Sequence, residues 1–190
     1  LTAMFTVPGG EPSTSAQDNP HGISWTFNSG SEAFNPIPAG QTLTLTYTVR
    51  ATDSHGASVD QPVTITITGT NDGVVAVNDS LTFAEDAAVG VRSGNVLTND
   101  TLDPDAGATT TVSSFSLDAN GDGLQETFTA GTPVIVTTPS GTLGILTMAS
   151  NGDYTFAPYQ TNYSGPVPVI TYMLASSTGE TATATLTLTV

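Results

Sequence analysis

Apolar and hydroxyl-bearing residues alternate with a period of two along much of this chain. From Gln41 to Val49 the positions Leu43, Leu45, Tyr47 and Val49 fall on one side and Thr42, Thr44, Thr46 and Thr48 on the other. Val59 to Thr68 repeats the pattern, with Val63, Ile65 and Ile67 set against threonines. Successive strand residues point to opposite faces, so each run predicts a strand buried on one side only. The turn from Ala51 to Ala57 makes the pair an antiparallel hairpin. Upstream, Leu1 to Val7 is a short β-like run, Pro8 to Gly22 a polar loop, and Ile23 to Phe27 a strand. Ile23, Trp25 and Phe27 share one face, which makes the single tryptophan an expected core anchor rather than a stacking platform for a ligand.

The stretch Ile67 to Asp79 reads as a junction. It holds two Asn-Asp pairs and Gly73 between one alternating run and the next, which resumes at Ser80 to Phe83. Beyond it, Thr109 to Leu117, Val134 to Thr138, Thr142 to Met148, Tyr154 to Phe156, Val169 to Leu174 and Thr183 to Val190 are strand-like and separated by Gly, Pro, Asn and Asp turns. Several short strands so spaced predict a sandwich. The junction divides the chain into residues 1–72 and 73–190, each of ordinary domain size. The expectation is an all-β protein of two tandem β-sandwich domains.

Composition sharpens this. The chain has 35 threonines and no segment with a sustained helical period, as an all-β fold requires. Seventeen acids face two arginines, Arg50 and Arg92, and no lysine, for a formal charge of -15. With so few cations the folded state must either tolerate self-repulsion or bind cations, and Ca2+ is the natural candidate. It also argues against nucleic acid, whose phosphates need Lys and Arg, and against anionic membrane surfaces. With no cysteine there is neither a disulfide framework nor a thiolate metal site, and no stretch is apolar enough to span a bilayer. Leu1 to Val7 is too short and uncharged for a signal peptide, so the sequence reads as a piece of something longer.

The most specific local motif is Asp118-Ala119-Asn120-Gly121-Asp122-Gly123-Leu124-Gln125-Glu126. Side-chain oxygens of Asp118, Asn120 and Asp122 take positions one, three and five of an EF-hand-type loop. Gly123 takes the sharp turn at six, the Leu124 carbonyl position seven and Glu126 position nine. Position twelve is Thr129 rather than an acid, so the reading is a free-standing calcium loop completed by Glu126 or a remote carboxylate. The alternative is a hairpin turn, which Asn-Gly and Asp-Gly favour without any metal. Catalysis finds little support. His21 and His55 lie in turns, no Gly-x-Ser-x-Gly elbow exists, and Glu85 and Asp86, adjacent on a strand, point to opposite faces. An enzyme is not expected.

The run from Pro38 to Val49, then Ala51 to Ala57, closing on Val63 to Asp72 as Val-Thr-Ile-Thr-Ile-Thr-Gly-Thr-Asn-Asp, resembles the carboxyl half of a VCBS repeat. Such repeats are immunoglobulin-like modules of very large secreted bacterial adhesins, including calcium-dependent RTX adhesins. Residues 73–190 resemble the bacterial cadherin-like repeats of the same proteins. The matching blocks are Ala76-Val77-Asn78-Asp79, Val96-Leu97-Thr98-Asn99-Asp100, Asn151-Gly152-Asp153-Tyr154-Thr155-Phe156 and Asn162-Tyr163-Ser164-Gly165. The resemblance implies two tandem immunoglobulin/cadherin-like sandwiches. It places Asp103-Pro104-Asp105 where a cadherin-like repeat carries its Asp-x-Asp calcium motif, at the loop end facing the junction. Asn71, Asp72, Asn78, Asp79 and Asp100 are expected to join Asp103 and Asp105 around Ca2+, unless these acids merely end strands. By the same logic Asp53 and Glu85 or Asp86 serve joints with neighbouring repeats. The implied function is a calcium-stiffened, monomeric extracellular segment of a bacterial surface adhesin, supporting adhesion or biofilm formation, with neighbouring repeats as partners. The alternative is a module that binds a glycan or surface protein through the loops Thr101 to Ala108 and Asn120 to Pro133 and the faces of Tyr159 and Tyr163. An accessory region of a secreted hydrolase is a third reading.

Overall fold

The computed structural model describes residues 4–8, 23–53, 55–84, 90–160 and 162–190. Among them there is no α-helix, and so none long and apolar enough to cross a membrane. The chain divides into two compact units, Leu1–Thr70 and Asn71–Val190.

In the first unit β1 (Phe5–Thr6) pairs with β2 (Thr26–Phe27), and β3 (Thr42–Thr52) with β4 (Ser58–Thr68). The β3–β4 hairpin is antiparallel and in unbroken register from Thr42↔Thr68 to Thr52↔Ser58, as the alternation predicts. Leu43, Leu45, Tyr47, Val63, Ile65 and Ile67 are half-buried, and the threonines between them are exposed. Asp53 closes the turn: its Oδ1 accepts the backbone N–H groups of His55 (2.9 Å) and Ala57 (2.8 Å). Arg50 and Asp60, opposite one another, form a two-pronged ion pair at 2.6 and 2.7 Å on the exposed face. Each holds the other charged, raising the guanidinium and lowering the carboxyl. Trp25 departs from expectation. It is 43% exposed and stacks on Phe5 at 5.5 Å, while Phe5 also stacks on Tyr47 at 4.4 Å. The strand it was to anchor is only two residues long, so no buried site forms around the indole.

The second unit is built from two sheets. One has the order β6 (Arg92–Asn95), β11 (Asp153–Pro158), β10 (Gly141–Met148), β9 (Val134–Thr138). The other has the order β5 (Asp79–Thr82), β13 (Thr181–Thr189), β12 (Ile170–Ser176), β7 (Thr110–Leu117), β8 (Glu126–Thr129). Their inner residues form a single core. Val136, Leu146, Met148 and Phe156 from the first sheet join Phe115, Leu117, Ile170, Tyr172, Leu174, Leu186 and Leu188 from the second, all almost wholly inaccessible. Period-two patterning dictates which residues these are, except where a bulge resets the phase. In β7 the buried series steps from Val112 to Phe115, and the pairing with β12 shifts across Ser113. In β10 the shift lies between Thr142 and Gly144. Each extra residue turns the following side chains back to the core face.

All six sequence-predicted runs of this unit are strands. β6 and β8 were not foreseen, because Arg-Ser-Gly-Asn and Glu-Thr-Phe-Thr carry too few apolar residues to show a period. They are edge strands held by β11 and β7.

Candidate functional site

The acids singled out by sequence fall in three places within the second unit. The first is where this unit begins. The chain enters through Asn71 and Asp72, is tied by a two-way bridge between Val75 and Thr101 (both N–H to O distances 2.9 Å), and meets the Thr101–Thr109 loop and the β12–β13 turn. Asp103 and Asp105 are both buried, at 9% and 4% exposure. Asp103 is fully engaged. Its Oδ2 accepts the hydroxyls of Ser176 and of Thr178 (2.5 Å), and its Oδ1 accepts the Asp105 N–H at 2.9 Å. Those donors, Ser176 first, hold its carboxyl below the usual range.

Asp105 is the opposite case. Both of its carboxylate oxygens are buried with no hydrogen-bond partner. Burial first, then the charges of Asp103 and Asp72, push its carboxyl above the usual range; the Asp72 backbone N–H, near it but outside hydrogen-bond geometry, opposes them as the smallest influence. A buried carboxylate without a partner is costly, and the ordinary remedies are protonation or a cation. Nearby, Asn71 donates its amide to Glu180 Oε1 at 2.7 Å. Sequence reasoning did not single out Ser176, Thr178 or Glu180, because the turn Ala175 to Gly179 itself carries no acid. The hydroxyls take over the contact with Asp103, and the acid follows one residue after that turn.

The second place lies around the Tyr172 hydroxyl. It stands 2.9 Å from the Val77 carbonyl, 3.0 Å from Asp79 Oδ2 and 3.4 Å from both oxygens of Asp100. Asp100 Oδ1 also accepts the Val77 N–H at 2.7 Å, and Asn78 Oδ1 accepts the Thr185 N–H at 3.0 Å. Burial, then Asp79 and Asp100, raise the phenol far above its usual range, so it remains a donor. Burial likewise raises the Asp79 carboxyl. Asn78, Asp79 and Asp100 thus brace the start of β5 against β12 and β13, and the expected seven-residue set divides into this group and the group of Asn71, Asp72, Asp103 and Asp105.

The third place is the loop between β7 and β8. Asp118 Oδ1 accepts the N–H groups of Gly121 (2.7 Å) and Asp122 (3.2 Å), and its Oδ2 that of Gly123 (2.9 Å). Asn120 Oδ1 accepts Asp122 N–H at 2.9 Å, Asp122 Oδ1 accepts Leu124 N–H at 2.8 Å, and Glu126 Oε2 accepts Ala119 N–H at 2.8 Å. Gly121 and Gly123 adopt φ of 80° and 88°, a region glycine enters at no steric cost. Asp118, Asn120, Asp122 and Glu126 are thus folded on the loop's own backbone, Gln125 Oε1 accepts the Ser116 hydroxyl at 3.1 Å, and Leu124 is exposed. Glu126 opens β8 opposite Leu117.

Among the described residues no group of three or more His, Cys, Asp or Glu is drawn closely enough together to hold a metal ion as it stands. Glu85, Asp86 and His21 lie outside the described residues. Of the proposed ligand-stacking tyrosines, Tyr163 donates its hydroxyl to the Pro166 carbonyl at 2.6 Å and packs against the core, while Tyr159 is exposed. A slot lined by Phe83, Arg92, Leu143, Phe156 and Tyr163, with Arg92 5.1 Å over the Phe83 ring, has no Asp, Glu, His or Ser side chain among the described residues of its lining.

Compared with known proteins, residues 71–189 match the family model of the bacterial Ig domain, a non-enzymatic fold class. No curated protein matches the chain. The match spans the two-sheet unit almost end to end, and its all-β build of two sheets on one core is consistent with it. The chain therefore belongs to the bacterial Ig domain family.

Proposed function

We propose that the chain is an extracellular repeat segment of a bacterial surface adhesin, stiffened by Ca2+ and extending the protein from the cell. In this reading residues 73–190 are a cadherin-like sandwich and residues 1–72 a VCBS-like one, as in RTX adhesins. The segment is monomeric, and its partners are the neighbouring repeats of its own chain. Membership of the bacterial Ig domain family supports the extracellular repeat. The observation that carries the calcium reading is Asp105, whose buried and unpartnered oxygens want a cation.

Asp72, Asp103, Asp105 and Glu180, with the Asn71 side-chain oxygen, offer the hard oxygen donors that Ca2+ takes in sets of six to eight. Because Asn71 and Asp72 follow directly on Thr70, the ion fixes the chain where the second unit starts. The Asp118–Glu126 loop holds a second ion in this reading by exchanging the bonds its side-chain oxygens make to the loop's own amides for the ion. Extracellular calcium modules have dissociation constants of about 10⁻⁴ to 10⁻³ M, and at tenfold excess each site adds about 1.4 kcal/mol to the folded state. Small-angle scattering in calcium and in chelator tests the stiffening. A narrower, more extended distribution in calcium is expected, and identical profiles would refute it.

A further inference from the structure

In the first unit a stack of three rings runs from the start of β2 through β1 to β3. Trp25 lies on Phe5 at 5.5 Å and 28°, and Phe5 on Tyr47 at 4.4 Å and 8°. Phe5 covers one face of the indole, so the 43% of Trp25 left exposed is its other face and edge. Two-residue periodicity puts Val7 on the side of Phe5 and Ile23 on that of Trp25, and these are 36% and 46% exposed. The result is a flat aromatic surface flanked by two aliphatic side chains. Neither Met4 to Pro8 nor Ile23 to Ser29 carries a charge, in a chain of net charge -15. We propose that this face is a carbohydrate-binding platform, on which Trp25 stacks against the C–H face of a neutral pyranoside. In β-linked glucose or N-acetylglucosamine the ring substituents are equatorial, so each ring face offers only axial C–H bonds. Those weakly positive hydrogens meet the negative face of the indole, whose N–H lies at the edge for a sugar hydroxyl. Stacking on Phe5 and Tyr47 fixes the indole before a ligand arrives, which lowers the ordering cost of binding. Area distinguishes a sugar from a protein partner. A whole aromatic side chain buries about 150–250 Å², so the exposed parts of Val7, Ile23 and Trp25 amount to a few hundred Å² at most. A specific protein interface takes roughly 1,000 Å² or more, whereas one or two sugar rings fit the patch. The acidic chain repels anionic sugars, which narrows the ligand to a neutral one.

This goes beyond the spacer reading and involves no ion. Trp25 is the single tryptophan, so intrinsic fluorescence of the full chain reports on the platform alone. Titration with cellohexaose and with the hexamer of N-acetylglucosamine should move the indole emission to shorter wavelength and weaken its quenching by acrylamide, saturably, in calcium and in chelator alike. Alginate, an anionic polymer, should do neither. Calorimetry with the same sugars carries the test to variants that lack the reporter. Trp25→Phe should bind several-fold more weakly, and Trp25→Ala by about tenfold or more, as loss of a central aromatic anchor does. Circular dichroism checks the fold of each variant, and if Trp25→Ala is unfolded the comparison rests on Trp25→Phe. No response of the wild type to either sugar, or a binding heat undiminished by the substitutions, would overturn the platform and leave the calcium reading untouched. An emission shift that follows chain concentration without sugar would overturn it too, because a second copy would then be covering the patch.

Discussion

Asp105 buries both carboxylate oxygens without a hydrogen-bond partner. In chelator its buried carboxylate is a liability, so Asp105→Asn is expected to leave the melting temperature unchanged or raised. In calcium the same variant should lack the wild-type increment, a few degrees for about 1.4 kcal/mol in a unit of this size. Melting curves in both solutions read the crossing directly. A loss in both would make Asp105 an ordinary structural acid. The dependence on pH follows. Burial and neighbouring charges raise the Asp105 carboxyl, and burial raises that of Asp79. An acid whose pKa is higher folded than unfolded takes up protons on folding, so stability falls as pH rises from the usual carboxylate value, near 4, through the raised one. Asp103, lowered by its hydroxyl donors, acts oppositely. Its contribution is present above the usual value and lost as pH falls through its depressed one. Melts in chelator from about pH 4 to neutrality should therefore show declining stability, less steep in Asp105→Asn. The resemblance to cadherin-like repeats picked out Asp103 and Asp105. It had no means of showing that one is satisfied by Ser176 and Thr178 while the other is orphaned, because that depends on which turn the sandwich brings alongside.

At the scale of elements, legibility tracked apolar content. β3, β4, β9 and β13 announce themselves by alternation over several residues, whereas β6 and β8 are edge strands whose pairing comes from a neighbour. The bulges were invisible too, since one extra residue alters no composition, yet they set which side chains of β7 and β10 face inward. The β10 bulge depends on Gly144. A Cβ there would sit 2.3 Å from the Ala157 carbonyl oxygen on β11, with backbone rather than a movable side chain in the way. Gly144→Ala should cost about 1–3 kcal/mol in denaturant unfolding, as overpacked cores do. An unaffected midpoint would mean that β11 yields freely. Trp25 shows the converse error. An alternating Ile-Ser-Trp-Thr-Phe run looked like a buried strand, but only Thr26 and Phe27 pair, and the indole is left stacked on Phe5.

For the molecule as a whole, the governing quantity is a charge of -15, of which the second unit carries twelve acids against the single Arg92. The all-β class, the sandwich of the second unit and the position of its core were all readable from patterning and turns. The acids were readable as a concentration, but not in their division among Asp105, the Tyr172 brace and the Asp118 loop. Repulsion on this scale predicts some stabilisation by any salt, through screening. A bound ion predicts more: micromolar-to-millimolar calcium should act where sodium at equal ionic strength does not. The most direct test is a calorimetric calcium titration of the full chain beside Asp105→Asn and Asp122→Ala at fixed ionic strength. Two saturable sites in the wild type, with a different one lost in each variant, is the predicted result. A flat titration of the wild type would contradict the account and leave the acidic clusters as strand ends and turns.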